Sequence, residues 1–226
     1  MKITILNGTT GNPLQTIGER AGICWGGGTS DKDKNIKRAI DCIKSAHERV
    51  LEYVSVEFVV EDMSARAIRE LYTHLAGSPT RLQSSTRYID YNNFSYYTPT
   101  ENEALKKLYD EAMESSAHYY RLLLEEGMKK EDAANVLPLG MMSKVVMKTN
   151  LRMIQNLMGQ RLCTRAYKEM RDFAKLLRQN LNDIDEEWRQ IAKNLFLPKC
   201  QQVGYCTEAK CCGLSEKKEI EWRRYL

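Results

Sequence analysis

The sequence predicts an α+β fold, a mixed helix/sheet single domain in which helices dominate. Three observations point there. Apolar residues recur at helical spacing in most segments, as in Ile36, Ala39, Ile40 and Ile43. Only a few short stretches have strand composition, chiefly residues 51–60 (LEYVSVEFVV). The chain has 226 residues, 42% of them hydrophobic, enough to bury one sizeable core, and no repeat or low-complexity linker divides it.

In chain order, residues 2–6 (KITIL) suit a short first strand. Leu14, Ile17, Ala21 and Cys24 give residues 12–25 a helical face, and Pro13 fits a first helical turn. Gly26-Gly27-Gly28 breaks the chain without a following Gly-Lys-Ser/Thr, so it reads as a flexible connection rather than a phosphate loop. Residues 30–46 read as helix, 51–60 as strand and 64–75 as helix. Residues 76–84 read as loop, and 85–98, rich in Tyr and Thr, as extended chain. Thr100 with Glu103 fits a capping box opening a helix that runs to about Gly127. A short helix at 130–136, an extended stretch at 143–149, and helices at 150–162 and 164–181 complete the pattern.

Composition narrows function. No apolar run approaches the ~20 residues of a membrane helix, and the N-terminus lacks a secretory signal pattern. The net charge of +4 is mild and unclustered, which argues against nucleic acid as a partner but suits small anionic ligands. Seven cysteines, an odd number, point to free thiols in a reducing cytoplasm.

Four segments put polar groups where the pattern otherwise wants core. His47 and Glu48 precede the 51–60 strand; the alternative there is a solvated helix end. Tyr72-Thr73-His74-Leu75 leads to Arg81-Leu82-Gln83-Ser84-Ser85-Thr86-Arg87-Tyr88. Hydroxyls, an amide and two guanidinium groups in one loop suit a phosphate, and equally a polar surface loop. Leu137-Pro138-Leu139-Gly140 precedes Asn150, Arg152, Asn156 and Arg161. At ~100° per residue, positions 150 and 161 share a helical face and 152 and 156 share another. Such interleaving with apolar residues suggests a cleft, or a helix with solvated arginines. Last, Cys200, Cys206, Cys211 and Cys212 are candidate zinc ligands, but they lack a paired Cys-x-x-Cys knuckle. Free or redox-paired thiols are the competing reading.

The first three segments together resemble the flavin-dependent thymidylate synthases. His47…Glu52, His74…Ser85-Thr86-Arg87-Tyr88, Leu137-Pro138-Leu139 and Asn150-Leu151-Arg152…Asn156…Arg161…Ala166…Glu169 follow that family's motif order. Asn12-Pro13-Leu14…Cys24-Trp25-Gly26 is similar to its first helix, so the likeness spans about residues 12–175. It implies that fold and the conversion of dUMP to dTMP, with methylenetetrahydrofolate as carbon donor, FAD as hydride carrier and NADPH as reductant. It also implies a homotetramer with sites shared between subunits. Because cofactors carry the hard chemistry, no protein nucleophile is needed. By position, Arg161 is the catalytic residue, stabilising charge at the uracil carbonyl. Glu70, Gln83, Ser84, Ser85, Thr86, Arg87 and Arg161 fall at the dUMP contacts. His47, Thr73, His74, Leu75, Gln83, Asn150, Leu151, Arg152 and Asn156 fall at the FAD contacts.

The chain departs from the pattern in places. The family's Arg-His-Arg is Thr73-His74-Leu75 here, and the span from His74 to Tyr88 is two residues longer. Arg81, in that longer loop, is a candidate phosphate contact replacing a lost charge. Leu82-Gln83 replaces a family Asn-Glu pair, Ala134 an arginine and Glu70 a glutamine. The competing functions are a non-catalytic flavin- or nucleotide-binding protein of the same fold, a related one-carbon transfer onto another pyrimidine nucleotide, or a zinc-ribbon-like module at 198–213. The expected organisation is a flavin- and nucleotide-binding domain at 1–197 followed by a Cys-rich tail at 198–226.

Overall fold

A computed structural model describes residues 1–74 and 79–218. The chain divides into two compact units. One comprises Met1–Thr4, Phe58–Thr73 and Thr80–Met147; the other comprises Ile5–Glu57, His74–Pro79 and Lys148–Leu226.

Strands β1 (Lys2–Ile5), β2 (Ser55–Ser64), β3 (Thr80–Gln83) and β4 (Met142–Asn150) form one sheet in the order β1-β2-β4-β3. Most of their residues fall in the first unit. Alternation explains β4, where Ser143, Val145, Met147 and Thr149 are the buried set. In β2 the alternation buries Val56, Phe58 and Val60, then breaks at Asp62, whose φ is 57°. That left-handed residue turns Met63 and Ser64 inward together. Ser64 then caps α3 (Ala65–Leu71), its hydroxyl accepting from Ala67 N–H at 3.1 Å.

β3 corrects the loop expected at 76–84. Its four residues are mostly exposed, so no burial period betrays them. Pairing with β4 makes the strand and continues past it, Ser84 N–H donating to Lys144 O at 2.8 Å. The stretch expected to be extended at 85–98 turns at 86–88 and 92–93 and makes one bridge, from Tyr96 to Met141. Helix α4 (Glu103–Glu125) is capped by Asn102 rather than Thr100; Asn102 Oδ1 accepts from Ala104 and Leu105 N–H at 3.0 and 3.1 Å. The short α5 (Lys130–Ala133) and a 3-10 turn, Ala134–Val136, pack on α4. Tyr91, Tyr120, Ala133 and Met141 form their shared core.

The second unit is a helical assembly of α1 (Pro13–Cys24), α2 (Lys32–Lys44), a 3-10 turn at Glu48–Tyr53, α6 (Leu151–Arg161), α7 (Lys168–Asn182), α8 (Glu186–Asn194) and α9 (Lys199–Val203). The 3-10 turn occupies the first three residues of the strand expected at 51–60, and β2 begins at Ser55. Only Leu51 of the turn's six residues is buried, so no sheet face forms there. α7 begins four residues later than expected, because Arg171 Nη1 donates to Thr164 O and to Ala166 O and holds the preceding turn. α1 and α2 meet closely at Gly18: a Cβ there would lie 1.8 Å from Asn35 O. The N-terminus of α1 is completed from far away. Asp185 Oδ2 accepts from Asn12 N–H at 3.1 Å and Glu187 Oε2 from Gln15 N–H at 2.9 Å. Trp188 Nε1 donates to Thr10 O at 2.8 Å, so α8, unanticipated in the sequence, fixes the start of α1. No helix among the described residues is long and apolar enough to cross a membrane.

Candidate functional site

In the second unit, α6 carries most of the polar residues singled out above. Asn150 is its N-cap; its Oδ1 accepts from Met153 N–H at 3.0 Å. This corrects the expectation that Asn150 and Arg161 share one helical face, since a capping residue has extended backbone and lies outside the helical repeat. Leu151 is buried, and its N–H donates to Val54 O at 2.9 Å. The next residue is Arg152, whose Nη1 meets Glu52 Oε1 at 2.6 Å and whose Nε lies 3.6 Å from Glu48 Oε2. Asn156 is exposed and accepts from Gln160 Nε2 at 3.4 Å. His47, exposed, opens the 3-10 turn that packs against α6.

The last residue of α6 is Arg161. Its Nε donates to His74 Nε2 at 3.0 Å. His74 is 3% exposed. Burial first, and the Arg161 charge second, push its pKa down to about 4. The imidazole is therefore neutral at pH 7 and fixes the guanidinium plane as a hydrogen-bond acceptor. Downstream, Glu169 is 2% exposed in the first turn of α7. A cavity of about 580 Å³ adjoins the end of α6, with Arg161, Cys163, Arg165, Lys199, Cys206 and Cys212 among its lining.

In the first unit, Tyr72 OH donates to Gln83 Oε1 at 3.1 Å, and Gln83 Nε2 donates to Ser143 Oγ at 3.3 Å. The Arg81 guanidinium lies over the Tyr72 ring, 4.2 Å from its centre. Thr73 Oγ1 donates to Glu70 O at 2.7 Å, so the residue standing in an arginine's place is turned onto its own helix end. Beyond β3, Ser84, Ser85 and Thr86 are half-buried. Ser85 Oγ accepts from Arg87 N–H at 3.2 Å and braces the turn. The exposed Arg87 pairs with Glu131 at 2.6 Å. Leu75, a candidate flavin contact, lies outside the described residues.

The structure thus brings His74 to Arg161, and Arg81 and Gln83 to Tyr72. Sequence reasoning missed the supporting roles of Tyr72 and Ser143. Ser143 was findable: it is polar at a core-facing position of an otherwise apolar alternation. All seven cysteines are free thiols. Among the described residues no three His, Cys, Asp or Glu side chains stand together as a metal set, so Cys200, Cys206, Cys211 and Cys212 do not form the zinc site considered above.

These elements define an α+β protein carrying a buried, neutral histidine on an arginine. Its fold is shared with thymidylate synthase X from Helicobacter pylori, solved with FAD and dUMP: TM-score 0.70, 20% identity, 87% of this chain and 99% of that one. Residues 6–185 match the family model described as thymidylate synthase complementing protein. The flavin-dependent thymidylate synthase of Pyrococcus abyssi (strain GE5 / Orsay) is 31% identical over 243 residues, covering 100% of this chain and 98% of that protein. The enzyme of the same name from Thermococcus kodakarensis is 30% identical, covering 93% and 90%. The chain belongs to the flavin-dependent thymidylate synthase family.

Proposed function

We propose that this chain converts dUMP to dTMP, with methylenetetrahydrofolate as carbon donor, FAD as hydride carrier and NADPH as reductant. The observation that carries the reading is the contact between His74 and Arg161. A neutral imidazole accepts from Nε and orients the guanidinium without repelling it. In that geometry Arg161 offers a directed, positively charged guanidinium to a uracil carbonyl as negative charge develops on it.

The donor set suits FAD. Arg152 is half-exposed, and His47 and Asn156 are exposed, on elements packed against each other. A guanidinium, an imidazole and an amide are donors for the dinucleotide's phosphates. Glu52 positions the guanidinium, and carboxylates accept from ribose hydroxyls. His74, Asn150 and Leu151 complete the set from residues described above; Thr73 and Leu75 occupy the places of the family's two lost arginines. When bound, the flavin supplies the hydride. Glu70, Gln83, Ser84, Ser85, Thr86 and Arg87 are assigned to dUMP, with Arg81, braced on Tyr72, adding the charge that Thr73 and Leu75 do not.

The assembly we propose is a homotetramer with shared sites. Leu105, Leu108, Tyr119 and Leu122 are all exposed on α4 and fall within ~100° of its circumference, an apolar stripe suited to another subunit. The free thiols support a cytoplasmic setting. We assign the flavin and nucleotide chemistry to residues 1–197, with 198–226 as a tail.

The test is a visible spectrum of purified protein, followed by anaerobic addition of dUMP, methylenetetrahydrofolate and NADPH with dTMP assayed. A flavin spectrum with dTMP formed is expected. Bound flavin without dTMP overturns the substrate assignment, and no flavin after reconstitution with FAD overturns the cofactor.

A further inference from the structure

We propose that Glu131 is an internal counter-anion for Arg87, displaced when a nucleotide phosphate binds, and that Lys129 and Lys130 join Arg87 in holding that phosphate. This deepens the reading above and rests on its assignment of Arg87 to dUMP. An ion pair between two separate elements carries it: Arg87 Nε lies 2.6 Å from Glu131 Oε2. Both partners sit on braced backbone. Ser85 Oγ accepts from Arg87 N–H at 3.2 Å and fixes the turn after β3. Glu131 lies in α5, which packs on α4 and is anchored by Ala133, fully buried beside Tyr91, Tyr120 and Met141. The two side chains themselves are exposed, so their contact can open without unpacking either element.

Around the pair is a recess of about 290 Å³ lined by Arg87, Tyr88, Lys129, Lys130 and Glu131, all in the first unit. Three cationic side chains meet one carboxylate there. Glu131 is engaged by Arg87, and neither lysine has an ion pair among the described residues. The recess therefore keeps two positive charges in excess even while Arg87 is occupied.

That imbalance favours exchange. A carboxylate brings one charge and two oxygens. A phosphate monoester brings about two charges and three acceptor oxygens. It takes the Arg87 fork from Glu131 and answers the lysines as well. The displaced Glu131 carboxylate, already exposed, turns to water. When product leaves, the carboxylate returns to Arg87. Because dUMP and dTMP carry the same phosphate, Glu131 loosens the hold on both, aiding release as much as it opposes capture.

The full-length protein, incubated with FAD, is titrated with dUMP, dTMP and deoxyuridine in a calorimeter. E131Q should bind dUMP and dTMP about fivefold more tightly than wild type, the scale of an exposed ion pair. E131A, which leaves no amide to bond the guanidinium, should act in the same direction. Deoxyuridine has no phosphate and should bind wild type and E131Q equally, or neither. In R87A the effect of E131Q should fall below about twofold, because its partner is gone. K129A/K130A should weaken dUMP and dTMP about fivefold, and high salt should narrow that gap. Unchanged dUMP affinity in E131Q and E131A overturns the counter-anion. So does an equal effect in R87A or on deoxyuridine. Unchanged dUMP affinity in K129A/K130A overturns the lysines' part. Failure of the wild type to bind dUMP overturns the substrate assignment itself, and this proposal with it.

Discussion

The end of α6 and the loop after β3 employ similar residue types in opposite ways. At the end of α6 the histidine is buried and the arginine is held through Nε by an uncharged acceptor. After β3, Gln83 and Arg87 are exposed, and Arg87 is held by the carboxylate of Glu131. The first arrangement fixes a cation's direction through a neutral acceptor. The second neutralises the cation until a competing anion displaces the carboxylate. One suits charge developing in a reaction; the other suits capture of a phosphate from solution.

The comparison breaks most sharply at Arg161. Arg161→Ala should lower kcat on the order of 100-fold, the scale for losing one preorganised electrostatic contact. Arg161→Lys should recover little, because an ammonium cannot reproduce the planar contact to His74. A steady-state assay of dTMP formation checks both, and near wild-type kcat in the alanine variant would remove the role.

Substitutions in the loop should act on binding instead. Arg87→Ala should raise the KM for dUMP about tenfold, the scale for one charge-assisted contact, with kcat nearly unchanged. Its thermal midpoint should barely move, since an exposed ion pair contributes at most ~1 kcal/mol. Arg81→Ala should cost a smaller factor in the same KM. If it leaves both dUMP and flavin binding unchanged, Arg81 does not replace a lost arginine.

The smallest effect sharpens the contrast through pH. His74 has its pKa lowered from 6.5 to about 4 in the folded protein, so the unfolded chain binds the proton more readily. This contribution to stability is complete above about pH 6.5 and is lost as pH falls toward about 4. Urea midpoints at pH 7 and pH 4.5 should differ more in the wild type than in His74→Gln. Equal differences would mean that His74 is not the titrating group.

Much of this was legible along the chain. The spacing of Leu14, Ile17 and Ala21 specifies α1, and the motif order from His47 to Glu169 led to the family. β3 escaped notice because an exposed four-residue edge strand has no burial period. α8 escaped because its work lies elsewhere, in carboxylates and an indole that complete the start of α1 more than 170 residues earlier.

Local patterns determined where helices and strands form, because 3.6- and 2-residue periods are properties of neighbouring residues. They also determined that His74, Arg152 and Arg161 are candidates for the chemistry. Only the tertiary structure decided what each one does. It placed His74 against a residue 87 positions away, and buried it deeply enough to keep it neutral. It set Arg152 on Glu52, and turned Asn150 to the helix start rather than its face. The physical reason is that hydrogen-bond partners and desolvation depend on distance in space, and sequence separation does not encode it.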